Sequence, residues 1–208
     1  MKPDIDYTLY LCTDRNIMSC KTIEESVESA IAGGATVIQL REKECSSREF
    51  YELARRVKQI TKPRNIPLII NDRIDIALAI DADGIHIGQG DMPAKIARRI
   101  VGESMIVGVS ASNYNEGTIA INDGADYLGV GAMFATGTKT DAVITPFDDL
   151  RRLRTDFSIP IVVIGGINEK TIPMFKGLGI DGFAVVSAIL SKKDIKAAAS
   201  SLKELILQ

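Results

Sequence analysis

Five consecutive residues, Gln39, Leu40, Arg41, Glu42 and Lys43, close an apolar run with a Gln and two cations. A guanidinium offers a planar fork for phosphate oxygens, and an ammonium offers a compact point charge. A run that ends this way presents a positive rim to an anion. Lys139, within Thr136-Gly137-Thr138-Lys139, supplies a third cation. Asn71-Asp72 closes another apolar run, and Asp91 follows a third. Two carboxylates beside a phosphate cradle suit Mg2+, which takes one or two of them and fills its shell with water and substrate oxygens. No His/Cys spacing fits zinc. Ser110 ends a further run, and Gly166 and the pair Val186-Ser187 end two more, where backbone N–H groups could receive a second phosphate. His86 is the only histidine and sits inside an apolar run, as a hydrogen-bonded core histidine would. Serine–histidine and cysteine–histidine schemes therefore lack an evident base. Two anion cradles, a divalent cation and no general base point to a reaction that releases diphosphate and joins two phosphorylated fragments.

Positioning these residues requires many strand ends on one rim. The pattern predicts strands over 7–12, 36–40, 67–70, 84–87, 105–109, 127–130, 161–164 and 183–186. It predicts helices over 22–32, 47–61, 74–80, 93–101, 115–122, 146–154, 169–176 and 195–206. Thr22 with Glu25 and Ser46 with Glu49 have the spacing of capping boxes, and Asp194 is placed to cap the last helix. The strands are unbroken apolar runs, as expected when both faces of a parallel sheet are covered. Eight strand–helix units point to an α/β fold, a single-domain (β/α)8 TIM barrel over 1–208, whose chemistry lies at the C-terminal strand ends. A repeat supports this. Residues 32–37, 80–85, 123–128 and 178–183 share a helix-stop, turn and strand-entry pattern and lead into the second, fourth, sixth and eighth strands. An open doubly wound sheet would need a glycine-rich turn after the first strand, where Thr13-Asp14-Arg15-Asn16 stands instead.

Composition narrows the setting. Net charge is −2 over 208 residues, with no basic tail or basic helix face, which argues against nucleic acid and membrane surfaces as partners. Cys12, Cys20 and Cys45 form no disulfide framework, as in a reduced compartment. Without a signal-like start or a membrane span, a cytoplasmic protein acting on small molecules is expected; self-association is compatible with the sequence but not specified by it.

The chain resembles the thiamine-phosphate synthase family along nearly all its length. The matching stretches are 10–14, 39–43, 71–73, 84–89 with 91–93, 108–110, 129–131 with 136–139, 164–167 and 185–189, in the family's order on the expected strands. The resemblance implies condensation of 4-amino-2-methyl-5-hydroxymethylpyrimidine diphosphate with hydroxyethylthiazole phosphate, giving thiamine phosphate and diphosphate by dissociative displacement. It assigns Gln39, Leu40, Arg41, Glu42, Lys43, Asn71 and Lys139 to the pyrimidine diphosphate. Ser110 contacts the diphosphate or the pyrimidine, and Asp72 and Asp91 ligate Mg2+. Thr136, Gly137, Thr138, Gly166, Val186 and Ser187 receive the thiazole phosphate. Arg41, Lys43, Ser110 and Lys139 are the expected catalytic groups. The chain departs from the family pattern at Ala132 and Ala135, where prolines are usual, and at Pro146. A thiazole tautomerase would carry a histidine where Ala132 stands, and a non-catalytic phosphate-binding barrel would not keep Asp72, Asp91 and Lys139 together.

Overall fold

Each predicted strand forms, and the strands close on one another. In a computed structural model, which describes residues 2, 4–135, 137 and 143–208, the strands are β1 (Leu9–Cys12), β2 (Val37–Leu40), β3 (Leu68–Asn71), β4 (Gly84–Ile87), β5 (Ile106–Ala111), β6 (Tyr127–Val130), β7 (Ile161–Ile164) and β8 (Gly182–Val185). They pair in sequence order into a closed barrel, parallel throughout, with β8 returning to β1. The helices are α1 (Ile23–Ala32), α2 (Ser47–Thr61), α3 (Ile74–Ala79), α4 (Ala94–Val101), α5 (Tyr114–Asn122), α6 (Phe147–Asp156), α7 (Ser187–Leu190) and α8 (Ile195–Ile206).

Local chemistry explains the helix starts. Ser46 and Glu49 form the reciprocal capping box. Thr22 accepts from the Glu25 amide, but Glu25 reaches back to the Lys21 amide rather than that of Thr22. Asp194 accepts from the Ala197 amide. The helix expected over 169–176 is instead a single 3-10 turn, Ile172–Phe175. Pro173 lacks an N–H, and Gly177 at φ 79° turns the chain before a second helical turn can form.

Side chains of the strands divide between two cores. Leu11, Leu40, Ile70, Val109 and Val163 face the helices, whereas Tyr10, Val37, Ile69, Ile106 and Tyr127 fill the barrel interior. Bulky interior rings need empty space opposite. A Cβ on Gly108 would lie 2.1 Å from the Tyr127 ring, and one on Gly129 would lie 2.8 Å from the His86 ring. These glycines stand inside strands because neighbouring rings occupy the place of a side chain.

The four-fold repeat has a structural meaning. Immediately before each even strand stand Thr36, Asp83, Asp126 and Asp181, whose amides donate to Leu9, Leu68, Val107 and Ile161 carbonyls. Each side chain accepts the amide of that same partner, at 3.0, 2.8, 2.9 and 2.8 Å. Every even strand thus clamps the start of the preceding odd strand at the barrel's N-terminal end. The three carboxylates also hold cations: Lys58 on Asp83, Arg98 and Lys2 on Asp126, and Arg154 on Asp181. Asp126→Ala leaves the Val107 amide without its side-chain acceptor and takes the carboxylate from a mostly buried Arg98, which keeps only the Gly102, Met105 and Gly124 carbonyls. It is expected to cost about 2–4 kcal/mol, read as a lower denaturant midpoint at unchanged slope. A loss within the range of ordinary surface substitutions would show that the clamp is incidental.

Candidate active site

A cavity of about 920 Å³ opens at the C-terminal ends of the strands. Gln39, Arg41, Lys43, Asn71, Asp72, Asp91, Ser110, Gly166, Val186 and Ser187 all line it. Leu40 and Glu42 do not. Leu40 is fully buried against the helices. The Glu42 side chain is 4% exposed and takes the Arg15 Nε at 3.1 Å, and its second oxygen has no protein partner. Gly137 is described but stands outside the cavity, while Thr136, Thr138 and Lys139 lie outside the described residues.

One wall is charged. Arg41 lies 3.7 Å from Asp14, and its amide donates to Thr13 Oγ1 at 3.0 Å. Lys43 Nζ donates to Asp72 Oδ2 at 2.7 Å. Asp72 has φ 61°, in the left-handed region that Asp tolerates better than most residues, and its amide donates to the His86 carbonyl. Asp91 Oδ2 accepts from the Gly88 amide at 2.7 Å. Burial raises the Asp91 pKa, the Gly88 amide opposes that, and the neighbouring Asp72 carboxylate raises it further. Two neighbouring carboxylates, whose mutual repulsion a cation relieves, are a natural cation seat. Among the described residues no cluster of three or more His, Cys, Asp or Glu could hold a metal. A pair is what Mg2+ requires of a protein that leaves the remaining positions to water and phosphate oxygens, so the donor set fits.

The opposite wall is made of backbone. Gly165 and Gly166 have φ 92° and 69°. A Cβ on Gly165 would sit 2.6 Å from Ala132 Cα, and one on Gly166 2.7 Å from Phe134 Cβ. The chain after β6 passes directly over this pair, with the Met133 amide on the Ile164 carbonyl and the Phe134 amide on the Gly165 carbonyl. Asn168 and Thr171 side chains donate to the Gly166 carbonyl. Beside it α7 begins at Ser187 with no side-chain cap, and Val186, Ser187 and Ala188 line the same cavity. Sequence reasoning missed this helix, since only four residues separate Val186 from Ser191.

The floor carries residues that residue-type reasoning did not assign to the site. Tyr10, Tyr127, Cys12 and Asp14 line the cavity. His86 is buried, as expected, with Nδ1 at 2.8 Å from Tyr127 Oη and Nε2 at 2.9 Å from Ser110 Oγ. Burial pushes its pKa down to about 4. The folded chain therefore binds a proton less readily than the unfolded chain, so stability falls as pH drops from about 6.5 toward 4. The loss is on the order of 3 kcal/mol. A urea titration of His86→Gln across this range should lack that component; an unchanged pH dependence would refute it.

Comparison with known proteins agrees with this geometry. Residues 9–189 match the family described as thiamine monophosphate synthase. Thiamine-phosphate synthase of Clostridium beijerinckii is 61% identical over 98% of this chain and 97% of its own length. That of Clostridium botulinum is 59% identical over 98% and 96%. The solved thiamine phosphate pyrophosphorylase of Pyrococcus furiosus is 38% identical with a TM-score of 0.90, covering 97% of this chain and 96% of that one. A barrel with this mouth, and relatives of this closeness along almost the whole chain, make the protein a member of the thiamine-phosphate synthase family, a transferase that forms thiamine phosphate.

Proposed function

We propose that the barrel joins 4-amino-2-methyl-5-hydroxymethylpyrimidine diphosphate to hydroxyethylthiazole phosphate, releasing diphosphate, by a dissociative displacement. The observation that carries this reading is the sharing of one cavity by Arg41, Lys43, Asp72 and Asp91 on one wall and Gly166, Val186 and Ser187 on the other. Arg41 and Lys43 take the diphosphate oxygens, exchanging their present partners Asp14 and Asp72 for the substrate. Leu40 anchors this segment in the core, and Glu42 ties it to Arg15, so both hold the cations in place without touching the ligand. Asp72 and Asp91 would hold Mg2+, which when bound neutralises charge on the departing diphosphate. Lys139 adds positive charge to the same leaving group, and Asn71 and Ser110 donate to its oxygens or to the pyrimidine. As the C–O bond breaks, charge moves onto the diphosphate, where fixed cations stabilise it more than in the ground state.

Amides at Gly166, Val186 and Ser187 hold the thiazole phosphate so that the thiazole nitrogen faces the pyrimidine methylene, and Thr136, Gly137 and Thr138 would reach it only by the loop moving inward from where Gly137 stands. The attacking nitrogen carries no proton to be removed, which accords with a site whose one histidine has both ring nitrogens engaged. Incubation with both substrates and Mg2+ is expected to yield thiamine phosphate and diphosphate in equal amounts. Absence of both products from folded protein would overturn the reading.

The walls do not favour the tautomerase alternative. Ala132, at the position that would need an acid–base group, is a buried apolar residue packed on Gly165. Among the described residues no helix is long and apolar enough to cross a membrane.

A further inference from the structure

Beneath the mouth, polar side chains form a continuous row through the barrel interior, from Gln39 to Ser110, and the function above uses only Ser110. Gln39 Nε2 donates to Tyr10 Oη at 2.8 Å. The Tyr10 and Tyr127 hydroxyls lie 2.7 Å apart. Tyr127 Oη meets His86 Nδ1 at 2.8 Å, and His86 Nε2 meets Ser110 Oγ at 2.9 Å. Tyr10 and Tyr127 are 1% and 0% exposed. Phenylalanine would fill the same volume without a hydroxyl to satisfy, so packing alone does not account for them.

With the Gln39 amide placed Nε2 toward Tyr10, proton counting sets the sense of the row. An amide nitrogen does not accept, so the Tyr10 hydroxyl proton cannot point at Gln39 Nε2 and points at Tyr127. The Tyr127 proton then goes to His86 Nδ1. The neutral ring carries its one proton on Nε2 and donates it to Ser110 Oγ. Two consequences reach the cavity. The Gln39 amide is pinned with its nitrogen on Tyr10, which leaves its carbonyl oxygen as the free acceptor. The Ser110 oxygen is already occupied as an acceptor, which leaves its O–H free to donate.

We propose that Tyr10, Tyr127 and His86 are positioning residues that hold Gln39 as an acceptor and Ser110 as a donor, and so make the site select a pyrimidine bearing an amino group over its oxo counterpart. The amine donates to the pinned Gln39 carbonyl. An oxo group there would meet that carbonyl oxygen to oxygen, and an unpinned amide would simply turn over and donate to it. For its ligand this inference rests on the proposed function; the sense of the row does not.

The chain contains one histidine, so 15N labelling at histidine gives a single imidazole spectrum. Wild type is expected as the Nε2–H tautomer at neutral pH. Tyr127→Phe keeps the ring that lies 4.9 Å from Tyr7 but removes the link. It is expected to change the Nδ1 signal and mix the tautomers, with folding checked by circular dichroism. An Nδ1–H tautomer in wild type, or an unchanged spectrum in Tyr127→Phe, overturns the relay. Calorimetric Kd values for the aminopyrimidine diphosphate and its oxo analogue give the second readout. Their ratio should fall about tenfold in Tyr127→Phe and in Tyr10→Phe. An unchanged ratio overturns the selection. If wild type binds neither compound, the proposed function and the selection fail together, while the tautomer result still decides the relay.

Discussion

Arg41→Ala is expected to lower kcat/KM for the pyrimidine diphosphate by about a hundredfold, about 2.7 kcal/mol of transition-state stabilisation. The size follows from the setting. Arg41 is mostly covered and held near Asp14 in a wall that excludes much of the water, so its charge is screened less than that of a surface arginine. In the proposed displacement it faces the departing diphosphate, so the loss should fall on kcat as well as KM. Arg41→Lys should recover only part, because an ammonium cannot replace a two-pronged guanidinium. Lys43→Ala and Lys139→Ala should each cost at least about tenfold. Removing Arg41 also leaves Asp14 unpaired, so Asp14→Asn is combined with Arg41→Ala to separate lost catalysis from a stranded carboxylate. Near-normal turnover in all three cation variants, in protein that melts like wild type, would reject the anion site.

What the sequence made legible, and what it hid, divides along physical lines. Strands β4, β6 and β7 have the predicted bounds because a fully buried parallel strand is an unbroken apolar run flanked by Gly, Asp or Pro. The repeat was visible as a pattern, but its cause was not. Asp83, Asp126 and Asp181 read as turn residues until the barrel brings each against the neighbouring strand's amide. The rim residues at strand ends were legible because a cation or carboxylate closing an apolar run is out of place in a core. Tyr10 and Tyr127 were not, because in an all-apolar strand nothing local says which side chains point inward; that is set by register and stagger, which belong to the closed sheet. Asp14 was overlooked for a similar reason, since its partner Arg41 is brought beside it by β1–β2 pairing. The 169–176 helix failed through giving Pro173 too little weight.

The metal assignment yields the second large effect, and it can be separated from structural roles by measuring stability in two conditions. Chelation is expected to abolish activity, and Mg2+ to restore it. Asp91→Asn should raise the Mg2+ needed for half-maximal activity by at least about a hundredfold, since losing even an outer partner of a metal ligand typically costs 10–100-fold. Without metal the sign reverses. Burial and the neighbouring Asp72 raise the Asp91 pKa, so the folded chain holds that proton more tightly than the unfolded chain. Stability is therefore lost as pH rises from the ordinary carboxylate range, about 4, through the raised value. Asn carries no charge and can still accept from the Gly88 amide. In chelator at pH 7, Asp91→Asn should melt at or above wild type, and the difference should close as pH falls below about 4. Adding Mg2+ should raise the wild-type melting temperature by mass action and leave Asp91→Asn nearly unmoved, which inverts the order. A variant that melts below wild type in chelator and gains as much from Mg2+ would mean that Asp91 serves its turn rather than a cation.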